Sequence, residues 1–231
     1  MRKETANALI DTIIKTAELL KGETVAEDSP DSLMNDGKLS NDNFIQVIRP
    51  AEITIGRVDL NDYLRFSIYG KYYSATAIKQ ETDSMLFCFN NCLSDDVPMF
   101  TEEPVNGGYD VSDLRKFLKK IENEFPANIK KRMIPFKNGD LLRIATCEEI
   151  LDKYEFVDRS CEDLGGNQIP YFKNFKKRIA LRDDEPEWYW MQNRIKGSPS
   201  YFAICYHDGR CGSSDPTVPH GVRPFFQIRN I

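Results

Sequence analysis

The stretch WYWMQNRIKGSPSYFAICYHDGRCGSSDPTVPHGVRPFF runs from Trp188 to Phe226. It holds both Trp, both His and two of the six Cys of a 231-residue chain, so any reading of the fold has to account for it first. Three segments in or overlapping it have strand composition: Trp188–Gln192, Tyr201–Tyr206 and Pro224–Ile228. Asp208-Gly209 is the strongest short hairpin signal in the chain. A two-residue turn there pairs His207 with Arg210, Tyr206 with Cys211 and Cys205 with Gly212. Side chains alternate between faces along a strand. That register therefore sends Cys205 and Cys211 to opposite faces, away from a shared disulfide or metal. The same alternation puts Trp188 and Trp190 together on one face, expected in the core, with Tyr189, Gln192, Asn193 and Arg194 nearer the outside.

Working outward, the pattern upstream is mixed. Residues 4–21 read as a helix with an apolar stripe at Ala6, Ile10, Ile13, Ala17 and Leu20, stopped by Gly22. This stripe either packs on its own domain or serves as a homo-oligomerisation handle. Residues 23–43 are acidic and rich in Ser, Asp and Asn, the composition of a linker or loop. From Phe44 the text turns β, with Ile45–Ile48, Leu64–Tyr69, Tyr72–Ile78 and Met85–Phe89 as a meander and a tight turn at Tyr69-Gly70-Lys71. Ser112 caps a helix carrying Leu114, Phe117, Leu118 and Ile121, and Pro126 ends it. Residues 140–145 read as a strand. Thr146-Cys147-Glu148-Glu149 has the form of a capping box opening a helix that runs to about Lys153. Residues 158–167 read as loop. Helices and strands do not alternate regularly, which makes the class α+β, with one domain over 44–231.

The composition excludes several functions. A net charge of −5 argues against a nucleic-acid partner, which needs clustered Lys and Arg. The short basic runs at 130–132 and 173–178 read as solvated surface. No apolar run reaches the ~18 residues of a membrane span, and no signal peptide is recognisable, so a cytoplasmic or virion-associated protein is expected. The Cys are 88, 92, 147, 161, 205 and 211, with no C-x-x-C pair, and are expected to be reduced. With two His and no paired Cys motif, no metal site and no cofactor are expected. No P-loop, G-x-G-x-x-G, G-x-S-x-G or H-E-x-x-H occurs. The acid pairs at 95–96, 102–103 and 183–184 sit in loop-like text. No catalytic residue is assigned.

The ending also resembles a known group. Trp188-Tyr189-Trp190-Met191-Gln192-Asn193, then a Gly/Ser/Pro loop, Tyr201-Phe202-Ala203, Asp208-Gly209 and Gly221-Val222-Arg223-Pro224 resemble the ending of an uncharacterised family of gut-bacterial and phage proteins. Ser112-Asp113-Leu114-Arg115 and Thr146-Cys147-Glu148-Glu149 fit the same pattern, so the match spans roughly residues 68–231. Met191-Gln192-Asn193 departs from the family's usual Leu-Arg-Ser. The family is similar to a branch of the C-type-lectin-like fold that includes formylglycine-generating enzymes and the variable proteins of diversity-generating retroelements. The resemblance implies a C-type-lectin-like domain of small antiparallel sheets and two to three helices. Through the enzyme branch it would also imply copper at two Cys, for which Cys205 and Cys211 are superficially placed.

The reading that follows is a non-catalytic recognition protein of phage or bacterial origin. Its protein or glycan partner would meet Tyr189, Gln192, Asn193, Arg194, Tyr201, Tyr206, His207, Asp208, Arg210, Ser213, Ser214 and His220. Tyr, Ser, Asn and Arg on loops over a rigid sheet are the chemistry of recognition. Trp188, Trp190, Gly221 and Arg223 are expected to be structural: Gly221 for an unusual backbone conformation, Arg223 as a clamp on a loop carbonyl or carboxylate. The competing readings are a copper-dependent oxidase and a structural virion protein.

Overall fold

The computed structural model describes residues 46–48, 58–102, 107–151, 168–195 and 198–230. The chain divides into two units, Met1–Ser40 and Asn41–Ile231, and all described residues belong to the second. The helix expected at 4–21, the acidic segment at 23–43 and the loop at 158–167 lie outside the described residues.

The second unit is α+β, as its text suggests. A six-stranded antiparallel sheet is built from β1 (Gln46–Ile48), β2 (Tyr63–Ile68), β3 (Lys71–Gln80), β4 (Ser84–Phe89), β5 (Met133–Ile134) and β11 (Phe225–Arg229). Its order is β1-β2-β3-β4-β11-β5, so the last strand slots between β4 and β5. Tyr69 and Gly70 both take positive φ, 49° and 76°, and form the two-residue turn joining β2 to β3. A hairpin that the composition did not announce links β6 (Ala180–Arg182) to β7 (Glu185–Glu187). There Asp183 and Asp184 adopt the same left-handed pair, at φ 49° and 69°. Asp tolerates that region better than most residues. A three-stranded sheet completes the domain, in the order β10 (Cys211–Ser214), β9 (Ser198–Cys205), β8 (Tyr189–Ile195).

Both faces of the large sheet are covered, and this explains why β4 is buried along its whole length. On one face Phe66, Phe89, Phe125 and Phe226 form an aromatic cluster, with Phe66 edge-on to Phe89 at 5.3 Å. Helix α1 (Asp113–Asn123) closes that side with Leu114, Leu118 and Ile121. Its cap is the expected one: the Ser112 hydroxyl accepts from Arg115 N at 3.1 Å. A short helix, α2 (Ala127–Lys130), follows Pro126. On the other face Leu86, Cys88 and Phe225 meet Phe172, which stacks on Phe225 at 6.0 Å.

The segment expected as a strand at 140–145 forms no strand and makes a single bridge, Arg143 to Phe225. Side chains hold it instead. The Arg143 guanidinium lies 4.5 Å from the Phe136 ring centroid and 5.4 Å from that of Phe225. Its two terminal nitrogens donate to the Glu149 carboxylate at 2.6 and 2.5 Å. Glu149 in turn accepts from Thr146 N at 2.9 Å, completing the capping box of α3 (Cys147–Ile150).

Burial alone would raise the Glu149 carboxyl, but Arg143 and the Thr146 contacts outweigh it and hold the group below the usual carboxylate range. A depressed folded value means stabilisation that is complete above the unfolded value and is lost as pH falls through the folded one. Glu149→Gln should therefore cost about 2 kcal/mol at pH 7. That penalty should shrink as pH is lowered from 5 to 3, because the wild type loses the same charge. Melting curves of both proteins across that range check this, and a gap independent of pH would contradict it.

Candidate functional site

The Asp208-Gly209 turn is where structure and sequence reading part. The strands pair Cys211 with Cys205, Gly212 with Ile204 and Ser214 with Phe202, one residue out of the expected register. The reason is the length of the loop. Gly209 N donates to Tyr206 O at 3.0 Å, and Tyr206 N donates to Arg210 O at 2.7 Å. The turn therefore starts at Tyr206 and its loop holds three residues, His207 to Gly209, with Gly209 at φ 83° and Arg210 already paired with Tyr206. A one-residue slip swaps every face assignment. Cys205 and Cys211 are direct cross-strand partners, and the face argument that kept them apart does not hold.

A second correction concerns β8. Tyr189, Trp190 and Met191 are all buried, because Trp190 enters the core on the Phe226 side while Tyr189 and Met191 enter the one on the Phe172 side. Tyr189, expected on the outside, donates its hydroxyl to Arg178 O at 2.7 Å and is 1% exposed. Trp188, expected in the core, lies just before the strand and is 38% exposed. Arg178, at the end of α4 (Phe175–Arg178), is buried despite belonging to a basic run that read as solvated.

The other expected surface residues disperse. Gln192 Nε2 donates to Ile144 O at 2.6 Å, and Asn193 Oδ1 accepts from Cys147 N at 2.7 Å. Both therefore tie β8 to the α3 region. Arg194 lies 5.5 Å from the Phe202 ring. His220 is 8% exposed and bonds Ser214 Oγ at 2.7 Å, with burial pushing its imidazole below the ordinary value against the pull of Asp96. Tyr201 and Ser213 are exposed. Gly221 does not need an unusual φ; it needs space. A Cβ there would lie 2.8 Å from both Trp188 O and Glu187 Cγ and 2.9 Å from Cys92 Sγ.

What the turn does assemble is a groove of about 390 Å³ lined by Trp188, Tyr206, His207, Asp208, Arg210 and Cys211. Trp188 is held rather than loose. Its Nε1 donates to His207 Nδ1 at 2.7 Å, with the two ring planes 9° apart, so indole and imidazole form one flat platform. Accepting at Nδ1 requires that nitrogen to carry no proton. Tyr206 stands against the indole at 65°, with centroids 4.9 Å apart. At the open end Arg210 pairs with Asp208, Nε to Oδ2 at 2.7 Å. Four of the twelve residues named from sequence, Tyr206, His207, Asp208 and Arg210, meet here. Trp188 and Cys211 were missed as lining residues, because strand alternation and the turn register misplaced them.

Two other hollows, of about 440 and 730 Å³, are lined in part by groups engaged in ion pairs. In one, Lys71 bonds Asp183 at 2.9 Å and Arg182 pairs with Glu187 at 2.5 Å. In the other, Arg143 is held by Glu149. Among the described residues no group of three or more His, Cys, Asp or Glu gathers to hold a metal, and no helix is long and apolar enough to cross a membrane. Comparison of the chain with protein-family models, curated proteins and solved structures finds no match.

Proposed function

We propose that the protein is a non-catalytic recognition module that takes a protein or glycan partner in the Trp188–Tyr206–His207–Asp208–Arg210 groove. One observation carries this. A Trp is left 38% exposed at a fixed orientation, its N–H already bonded to His207 and its edge braced by Tyr206. Exposing a large rigid aromatic face is costly in water and favourable in an interface, where Trp, Tyr and Arg carry most of the energy. Arg210, 78% exposed in its side chain, adds a polar anchor at the rim.

The fold proposed for the module is C-type-lectin-like. Small antiparallel sheets, the capped helices at Ser112 and Thr146 and a final strand returning to the main sheet support that assignment. A phage or bacterial variable protein of a diversity-generating retroelement is the matching biological role. A near-copy of the gene's 3′ end beside a reverse transcriptase would be its genomic signature.

Glycan-array screening, together with binding assays on the products of neighbouring genes, supplies the ligand. Trp188→Ala should then weaken binding by about 30-fold, the equivalent of a ~2 kcal/mol hot spot. Arg210→Ala should weaken it too, and the melting temperature should stay within a few degrees in both. Unchanged affinity in both variants places the binding surface elsewhere.

A further inference from the structure

We propose that Cys205 and Cys211 form a redox-active dithiol, oxidised by a small disulfide of the glutathione class to a cross-strand disulfide beneath the groove. The argument starts from the register. Cys205 and Cys211 are direct Cα partners in an antiparallel pair. The next pair toward the turn is joined by the Tyr206 N to Arg210 O bond of 2.7 Å. Hydrogen-bonded and non-hydrogen-bonded pairs alternate along such a ladder, so the Cys pair occupies a non-hydrogen-bonded site. Cα atoms there are about 4.5 Å apart with both side chains on the same face, and disulfides span Cα separations of about 4.4–6.8 Å. A bond between these sulfurs therefore needs no movement of the strands.

The surroundings favour reactivity as well as closeness. Cys205 is also the cross-strand partner of Tyr189. Arg223, donating to the Tyr189 hydroxyl at 3.3 Å, brings a buried guanidinium to the same row. The Cys205 thiol is drawn toward the thiolate, first by its hydrogen bond with Cys211, against desolvation, then by Tyr189 and by the Arg223 and Arg178 charges. The same bond, with burial, pushes Cys211 up. The two titrate as a unit: one negative charge shared across the S–H···S bond is favoured, and two are not. Two other described thiols, Cys88 and Cys92, behave differently. Burial raises Cys88 to about 11 and raises Cys92 further.

Access comes from the groove. Cys205 is fully buried, but Cys211 is half-buried and lines the groove wall. The shared charge reaches Cys211 by proton transfer from its thiol to Cys205 along the S–H···S bond. Cys211 Sγ then attacks one sulfur of glutathione disulfide; the S–S bond breaks, and glutathione leaves as a thiolate that takes a proton from water. Cys205 loses its proton and attacks Cys211 Sγ in the mixed disulfide, expelling the second glutathione. The second glutathione also leaves as a thiolate and takes up the proton that Cys205 gave up. Two electrons pass from the protein sulfurs to glutathione, two protons leave the dithiol counting the one lost when the shared anion formed, and the dithiol becomes a disulfide.

The test uses the full chain with all six Cys present. Equilibration over a series of reduced-to-oxidised glutathione ratios, followed by acid quench, alkylation and peptide mass mapping, reads each thiol. The expected result is one intramolecular disulfide, between Cys205 and Cys211, with Cys88 and Cys92 still alkylatable. Cys205→Ser should stop at the mixed disulfide and carry one glutathione on Cys211. Folded wild-type protein that forms no Cys205–Cys211 disulfide in excess oxidised glutathione overturns the proposal. So does one that oxidises Cys88 or Cys92 as readily. The wild-type measurement decides the matter even if a variant fails to fold, and it is independent of whether the groove binds a partner.

Discussion

Arg223→Ala should lower the unfolding free energy by about 3–5 kcal/mol, through unpaired buried acceptors and the space left behind. Arg223 is 2% exposed. Its guanidinium donates to Phe89 O at 2.8 Å, to Arg178 O at 3.0 Å and to Lys177 O at 3.1 Å, besides Tyr189 Oη. Those carbonyls belong to the end of β4 and to α4, so one side chain joins the main sheet to the segment before β6. Each buried acceptor left without a donor costs about 1–3 kcal/mol, reduced where water can enter. The corresponding fall in melting temperature is roughly 6–20 °C, because 1 kcal/mol is worth about 2–4 °C in a domain of this size. Arg223→Lys should recover less than half of the loss, since a single ammonium cannot reproduce the planar fork. Thermal and denaturant unfolding of the two variants decides this. A loss under about 1 kcal/mol for Arg223→Ala would show that the clamp is dispensable.

The second large effect separates two Trp that the sequence treats as equals. Trp190→Ala should cost about 3–5 kcal/mol, the usual range for deleting a buried aromatic. Trp190 is fully buried, packs edge-on against His220 at 4.8 Å and donates Nε1 to Val97 O at 2.7 Å. Trp188→Ala should cost about 1 kcal/mol or less, because the side chain is substantially exposed and its lost partners, His207 and Tyr206, are themselves accessible to water. Urea melts of the two single variants measure the difference directly. Acrylamide quenching adds a second check: Trp190→Phe should leave a readily quenched indole, and Trp188→Phe a shielded one. Equal stability losses in the two variants would mean that Trp188 belongs to the core after all.

The pair shows where sequence reasoning holds and where it stops. Local chemistry is legible in the text. Ser112 and Thr146 cap helices because a side-chain oxygen three residues before an orphan N–H does so wherever it occurs. The turn at Tyr69-Gly70 and the strands around it follow from residue-level backbone preference and from β-branched and aromatic runs. These signals depend on neighbours within four residues, and together they determined the α+β class and most of the element positions.

What faces what was decided only by the assembled structure. Alternation names a buried face when one side of a strand meets water, but β8 lies between two apolar clusters, so Tyr189 and Trp190 are both buried. Whether Asp208-Gly209 spans two residues or belongs to a longer loop depends on Tyr206 and Arg210 bonding across it, and that one-residue difference made Cys205 and Cys211 partners. Gly221 is required by the approach of Trp188 and Cys92 from elsewhere in the chain, which no local preference encodes. The sequence by itself determined the local elements, because their energies are short-ranged. The tertiary structure alone decided the groove and the thiol pair, because register and burial are set by contacts between residues far apart in the chain.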